Sequence, residues 1–154
     1  MTGNPAPDFN LYNTNKEETR LSQYQGQKNV LLLFFPFAFT GTCTKELCGV
    51  RDDLARYAKA NAEVLGISVD SVHSLRRYKE DQQLNFLLLS DFNKETSKAY
   101  NSFYEQFSLN HRGVSKRSAF VIDKEGIIRY AEILENASEI PDFSKIHSTL
   151  AKLF

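Results

Sequence analysis

The chain has 154 residues, 19 basic and 19 acidic side chains, two cysteines and no tryptophan. That is the length of one ordinary domain, expected over 1–154, with no charge excess to hold nucleic acid or an acidic membrane. Its 42% apolar and 25% charged fractions exclude a disordered chain.

Residues 1–29 are polar and turn-rich, with Pro5, Pro7, Asn13, Asn15 and Gly26; short strands are expected near Phe9–Tyr12 and Thr19–Leu21. Val30–Phe35 is apolar without alternation, which predicts a strand covered on both faces. Pro36 ends it, since proline cannot donate to a ladder. The apolar run through Phe39 is too short to span a bilayer. Beyond Thr40-Gly-Thr-Cys43, the spacing of Leu47, Val50, Leu54 and Tyr57/Ala58 predicts one long amphipathic helix. Val64–Val69 is a second core strand. Ser71 is a candidate N-cap for a helix to about Gln83, with Val72, Leu75 and Tyr78 inward. Phe86–Leu89 predicts a third strand and Lys94–Tyr100 a short helix. Asn101–Lys116 reads as a loop. Ser118–Ile122 and Ile127–Leu134 read as a hairpin around Asp123-Lys-Glu-Gly126, and Pro141 as the opening of a final helix to about Leu153. The alternation argues for an α/β fold with a largely parallel core, to which the closing hairpin adds an antiparallel edge.

The N-terminal Met1–Phe9 has no basic stretch followed by an apolar one, which argues against a secretory leader and favours a cytoplasmic protein. Two cysteines are too few for a disulfide framework, and in a reducing compartment such residues are more often catalytic, metal-bound or inert. His73, His111 and His147 are scattered singly and the cysteines lack zinc-ligand spacing, so no metal is expected. There is no glycine-rich phosphate loop and no cofactor is expected.

Cys43 falls where a strand ends and a helix begins, at the carboxyl edge of the expected sheet, where open α/β folds place their sites. A thiol in the first helical turn meets unpaired N–H groups and the positive end of the dipole, and both favour thiolate. Thr40 is the expected N-cap, its side-chain oxygen accepting from the Cys43 N–H. The alternative is a buried, unreactive cysteine on the apolar stripe. Cys48 stands five residues on, which is not the Cys-x-x-Cys spacing of a redox pair. On an intact helix that separation is roughly 140° of rotation and about 8.7 Å between Cα atoms. A disulfide needs about 7 Å, so the two can pair only if the helix unwinds locally.

Pro36-x-x-x-Thr40-x-x-Cys43 resembles the active-site signature of the peroxiredoxins. Glu46 and, in Lys116-Arg117-Ser-Ala-Phe-Val-Ile-Asp123, Arg117 match further positions of the family pattern. The resemblance runs from Pro7-Asp-Phe9 to the final helix. It is nearest two small types, the Q type (bacterioferritin comigratory protein) and the alkyl hydroperoxide reductase E type, and many Q-type members carry a resolving cysteine at the place of Cys48. The Gly126–Glu132 segment is similar to alkyl hydroperoxide reductase E, which often works with one cysteine. The resemblance implies a thioredoxin-like fold, with a central, mostly parallel or mixed sheet flanked by helices. It also implies a thiol peroxidase in which Cys43 attacks hydrogen peroxide or organic hydroperoxides. Arg117 would stabilise the charge, Glu46 would orient Arg117, Thr40 would bond the substrate and Pro36 would shape the pocket. A thioredoxin- or glutaredoxin-like reductant is the implied partner, and family members occur as monomers and as homodimers. A thiol-disulfide oxidoreductase is disfavoured by the cysteine spacing, and a glutathione-peroxidase-like enzyme by the lack of tryptophan. A non-catalytic peroxide sensor is the rival from outside enzymology.

Overall fold

In the computed structural model, which describes residues 1–153, the chain runs β1 (Asn10–Asn13), β2 (Glu18–Arg20), β3 (Asn29–Phe34), α1 (Gly41–Asp52), α2 (Leu54–Lys59) and β4 (Ala62–Ser68). It continues through α3 (Val72–Gln82), β5 (Leu87–Ser90), α4 (Glu95–Ala99), β6 (Phe103–Tyr104) and β7 (Val114–Ser115), and closes with β8 (Ser118–Ile122), β9 (Ile128–Ile133) and α5 (Phe143–Ala151). Seven strands form one sheet in the order β2-β1-β5-β4-β3-β8-β9, and β6 and β7 form a separate small hairpin.

The apolar run Val30–Phe35 explains why β3 is central. Leu31 and Leu33 pack into the cluster built with Leu47 and Val50 of α1, Tyr57 of α2, Leu75 and Tyr78 of α3 and Ile146 and Leu150 of α5. Val30, Leu32 and Phe34 point to the other face, against Phe9, Leu21, Tyr100 and Phe120. Both faces are buried, so alternation of side chains along the strand leaves no polar position between Val30 and Phe34. Truncating Leu33, which has no exposed surface, to alanine is expected to cost about 2–5 kcal/mol. In β4, Gly66 lets β5 approach: a Cβ there would sit 2.7 Å from Leu88 Cδ2.

The sheet has the expected parallel core, β3/β4 and β4/β5, and is mixed as a whole, since β1/β2, β1/β5, β3/β8 and β8/β9 are antiparallel. Three expectations need correction. The long helix breaks at Asp53 (φ −116°, ψ 17°), whose N–H turns back to Val50 O while its carboxylate meets Arg56 and His147 at 3.8 and 3.6 Å. The apolar stripe continues across the break because Tyr57 still reaches the core. The stretch Asn101–Lys116 contains the β6–β7 hairpin. Pro141 precedes the last helix rather than opening it; Asp142 is the N-cap, its carboxylate accepting from Lys145 N. Ser71 caps α3 as its sequence predicts, accepting from Ser74 N.

Candidate active site

Cys43 sits in the first turn of α1, and the chain leading to it is fixed from the sheet. Phe35 N donates to Ile67 O, continuing the β3–β4 ladder past the end of β3. Ala38 N donates to Asp70 Oδ2 at 2.7 Å, which ties the Pro36–Thr40 turn to the segment after β4. Phe39 takes a left-handed backbone (φ 64°), a conformation that costs a non-glycine residue energy and reverses the chain into the helix. The first helical bond, from Thr44 N to Thr40 O, follows at once.

The tight turn overturns the expected role of the Thr40 side chain. Its hydroxyl donates to Phe37 O at 2.9 Å and makes no cap bond to the helix. The Thr40 oxygen keeps lone pairs free toward the pocket whose wall it shares.

Arg117 immediately precedes β8, antiparallel to β3, and this register brings it 74 residues across the sequence to Cys43. Its guanidinium is committed on three sides. Nη2 donates to Cys43 Sγ at 3.1 Å, Nη1 to Glu46 Oε1 at 2.8 Å and Nε to Ala137 O at 2.9 Å. Charge alone would place Arg117 and Glu46 in solvent, yet they are 2% and 1% exposed. Burial opposes the guanidinium's charge, but the nearby Cys43 and Glu46 outweigh it and hold the group above its ordinary value. Burial lifts the Glu46 carboxyl to about 7, with the attraction of Arg117 working against that rise. Glu46 Oε2 is buried with no hydrogen-bond partner, which fits a carboxylate made costly by desolvation.

Cys43 is 1% exposed, and it lies on the wall of a 260 Å³ pocket. The same pocket is bounded by Pro36, Phe37 and Thr40 before the helix, by Arg117, and by Phe107 and Ala137 from distant loops. Buried Pro36 offers no N–H there to compete for the sulfur. Phe35 is a core residue, Phe37 rims the pocket against Phe107 (6.2 Å between ring centroids), and Phe39 is exposed and packs on Tyr78. The arrangement joins a nucleophilic sulfur, a fixed cation beside it, a helix amino end and an opening sized for a small substrate.

Cys48 is not part of this constellation. Helix α1 is continuous from Gly41 to Asp52, and both thiols are free. Half-buried Cys48 Sγ lies 3.5 Å from Gln82 Oε1 of α3. One turn toward the amino end, Thr44 Oγ1 and Tyr78 Oη are 2.9 Å apart. Burial, opposed by this hydrogen bond, pushes the Tyr78 phenol up to about 12, so the phenol keeps its proton. Sequence reasoning missed Ala137 and Phe107. The first contributes only a backbone carbonyl, which no residue type encodes; the second lay in a stretch without periodicity. No group of three or more potential metal ligands occurs among the described residues, and no helix of the described chain is long and apolar enough to cross a membrane.

Residues 2–131 match the model of the AhpC/TSA family. The chain is 40% identical over 142 residues to alkyl hydroperoxide reductase E of Mycobacterium tuberculosis, covering 91% of this chain and 89% of that one. It is 37% identical over 130 residues to peroxiredoxin Bcp of Escherichia coli, covering 83% and 82%. Among solved structures, peroxidoxin BcpB from Mycobacterium tuberculosis superposes with a TM-score of 0.86 at 29% identity, over 99% of this chain and 97% of that one. The mixed sheet and its flanking helices therefore form a thioredoxin-like fold.

Proposed function

The chain belongs to the AhpC/TSA family, the peroxiredoxins, and is a thiol peroxidase; from that premise we propose that Cys43 is its peroxidatic residue, acting on hydrogen peroxide and organic hydroperoxides. The observation that carries this reading is the 3.1 Å contact between Arg117 Nη2 and Cys43 Sγ on the pocket wall.

The Cys43 thiolate attacks the terminal oxygen of the hydroperoxide. An S–O bond forms and the O–O bond breaks, so the sulfur is oxidised to sulfenic acid and the departing alkoxide or hydroxide takes up a proton to leave as alcohol or water. Arg117 holds the thiolate and then the negative charge spreading over the two oxygens. It is aimed before the reaction begins, because Glu46 and Ala137 O fix it from two other directions. Thr40, its own proton spent on Phe37 O, accepts from the substrate O–H and orients it for in-line attack. Pro36 and Phe37 keep competing donors and water from the sulfur.

Regeneration follows through Cys48. Its thiol condenses with the sulfenic acid, giving a disulfide and water, and a dithiol protein of the thioredoxin or glutaredoxin class reduces that disulfide. Because the two cysteines stand on one unbroken helix, α1 must unwind around Thr44 before they meet. A second reading is favoured by the seating of Cys48 against Gln82: an external thiol attacks the sulfenic acid and Cys48 stays in place. One equivalent of peroxide separates the two readings. Intact-mass analysis is expected to show quantitative intramolecular disulfide in the native chain. A Cys48→Ser variant with undiminished thioredoxin-linked turnover would establish the one-cysteine route. Catalytic turnover with dithiothreitol, lost in Cys43→Ser, distinguishes the enzyme from a stoichiometric sensor.

A further inference from the structure

Arg117 has a third support besides Cys43 and Glu46, and that support is itself held from elsewhere. Its Nε donates to Ala137 O, in the turn that follows β9. The turn is irregular backbone just past the end of the β8–β9 ladder, so its carbonyls are held by individual bonds. Leu134 N donates to Arg117 O at 2.9 Å, and Asn136 Oδ1 accepts from Ser138 N within the turn. Glu139 N donates to Asn136 O at 3.2 Å and Ser138 Oγ to Asn136 Oδ1 at 2.6 Å, and the fastening to a distant element comes from Tyr104, on the β6–β7 hairpin. Its hydroxyl lies 3.0 Å from Leu134 O and 3.1 Å from Glu135 O, one donor shared between two consecutive carbonyls. Burial first, and then the charge of Glu135, raise the Tyr104 phenol, so it keeps the proton that it donates.

The ring of the same residue reaches the other side of the pocket. Tyr104 stacks on Phe107 at 5.0 Å with an interplanar angle of 24°. Phe107 lines the pocket and packs against Phe37. Lys116 Nζ lies 5.5 Å from the Tyr104 ring centroid and pairs with Glu135 at 2.6 Å, closing the hairpin over the turn.

We propose that Tyr104 is a positioning residue for the peroxidase reaction: its hydroxyl holds the turn that aims Arg117 at Cys43, while its ring holds the Phe107 wall that the substrate passes. The inference rests on the reading of Cys43 and Arg117 given above. It divides Tyr104 into two separable functions. The hydroxyl governs how well the thiolate is stabilised, whatever the substrate. The ring governs which substrates enter.

The test is stopped-flow oxidation of the reduced protein by hydrogen peroxide and by cumene hydroperoxide, each across pH 5 to 9, for the native chain, Tyr104→Phe, Tyr104→Leu and Arg117→Met. Tyr104→Phe keeps the ring and loses the hydroxyl bonds. It is expected to react about tenfold more slowly with both substrates at neutral pH, as expected for about 1.4 kcal/mol, the scale of one lost hydrogen bond. Its pH–rate profile is expected to move to higher pH, so that the deficit narrows in alkali. Tyr104→Leu is expected to show that same loss and, in addition, a changed ratio between the two substrates. Two results would overturn the proposal: a Tyr104→Phe protein with native rates and profile, or one slowed equally at every pH together with a lowered Tm. If Arg117→Met also reacts at the native rate, it is the underlying reading of the site that fails rather than the role of Tyr104.

Discussion

The two flanks of helix α1 are built to different standards. Toward β8, Cys43 meets a guanidinium that makes contacts of 2.8, 2.9 and 3.1 Å to three separate partners, all but removed from solvent. Toward α3, Cys48 is half-buried and makes one thiol contact of 3.5 Å, near the weak end of hydrogen bonding. The first flank needs no rearrangement to act, which is what a charge-stabilising site requires. For the proposed resolution by Cys48 the second must come apart, because no rotation of a side chain brings Cys48 to Cys43 on an intact helix. On that reading, rigidity and release are set on opposite sides of one helix, a few residues apart.

After Arg117, the contrast can be broken most severely at Thr40, on the rigid side. Thr40→Val removes the hydroxyl that closes the turn on Phe37 O and faces the pocket. The rate of Cys43 oxidation is expected to fall about a hundredfold, with Thr40→Ser restoring most of it. A Thr40→Val protein within threefold of native would remove that hydroxyl from the mechanism.

Glu46 gives the next effect, read as stability. Burial raises its folded value to about 7 from an ordinary 4.5. The folded state therefore binds the proton more tightly than the unfolded chain. That contribution is complete below the unfolded value and is lost as pH rises through about 7. Denaturant unfolding is expected to show the native chain losing roughly 1–3 kcal/mol relative to Glu46→Gln between pH 4.5 and 8. Parallel stability curves for the two proteins would mean that Glu46 is ionised throughout.

The smallest expected effect lies on the yielding side. Tyr78→Phe keeps the ring packed on Phe35 and Phe39 and deletes the bond to Thr44. Losing about 1 kcal/mol from the first turns of α1 is expected to speed disulfide formation roughly fivefold, leaving the initial peroxide step unchanged. Rapid-quench mass analysis reads both steps. A slower disulfide step would place the barrier to unwinding somewhere other than this contact.

How much of this was legible in the residues follows from what each feature depends on. β3 announces itself because burial on both faces leaves an unbroken apolar run from Val30 to Phe34, and β4 carries a shorter one from Val64 to Ile67. Strand direction leaves no such mark, so the antiparallel pairing of β1 with β5 is not legible although both strands are. The break at Asp53 was hidden because the apolar stripe runs through it. In the site, Pro36, Thr40 and Cys43 lie within eight residues and are readable as a local turn into a helix. Glu46 and Arg117 came forward only through family resemblance, since charged residues ordinarily signal solvent. Ala137 O and the Tyr104 hydroxyl emerge only when distant loops are brought together.

The central claim is that a fixed guanidinium beside Cys43 makes its sulfur a peroxidatic nucleophile. The direct measurement is the second-order rate constant for hydrogen peroxide with the native chain and with Arg117→Met, each followed by detection of Cys43 sulfenic acid. The account predicts a fall of about a thousandfold or more in the variant, on the scale of deleting a principal charge-stabilising donor. A variant that oxidises Cys43 within a factor of three of native would contradict it.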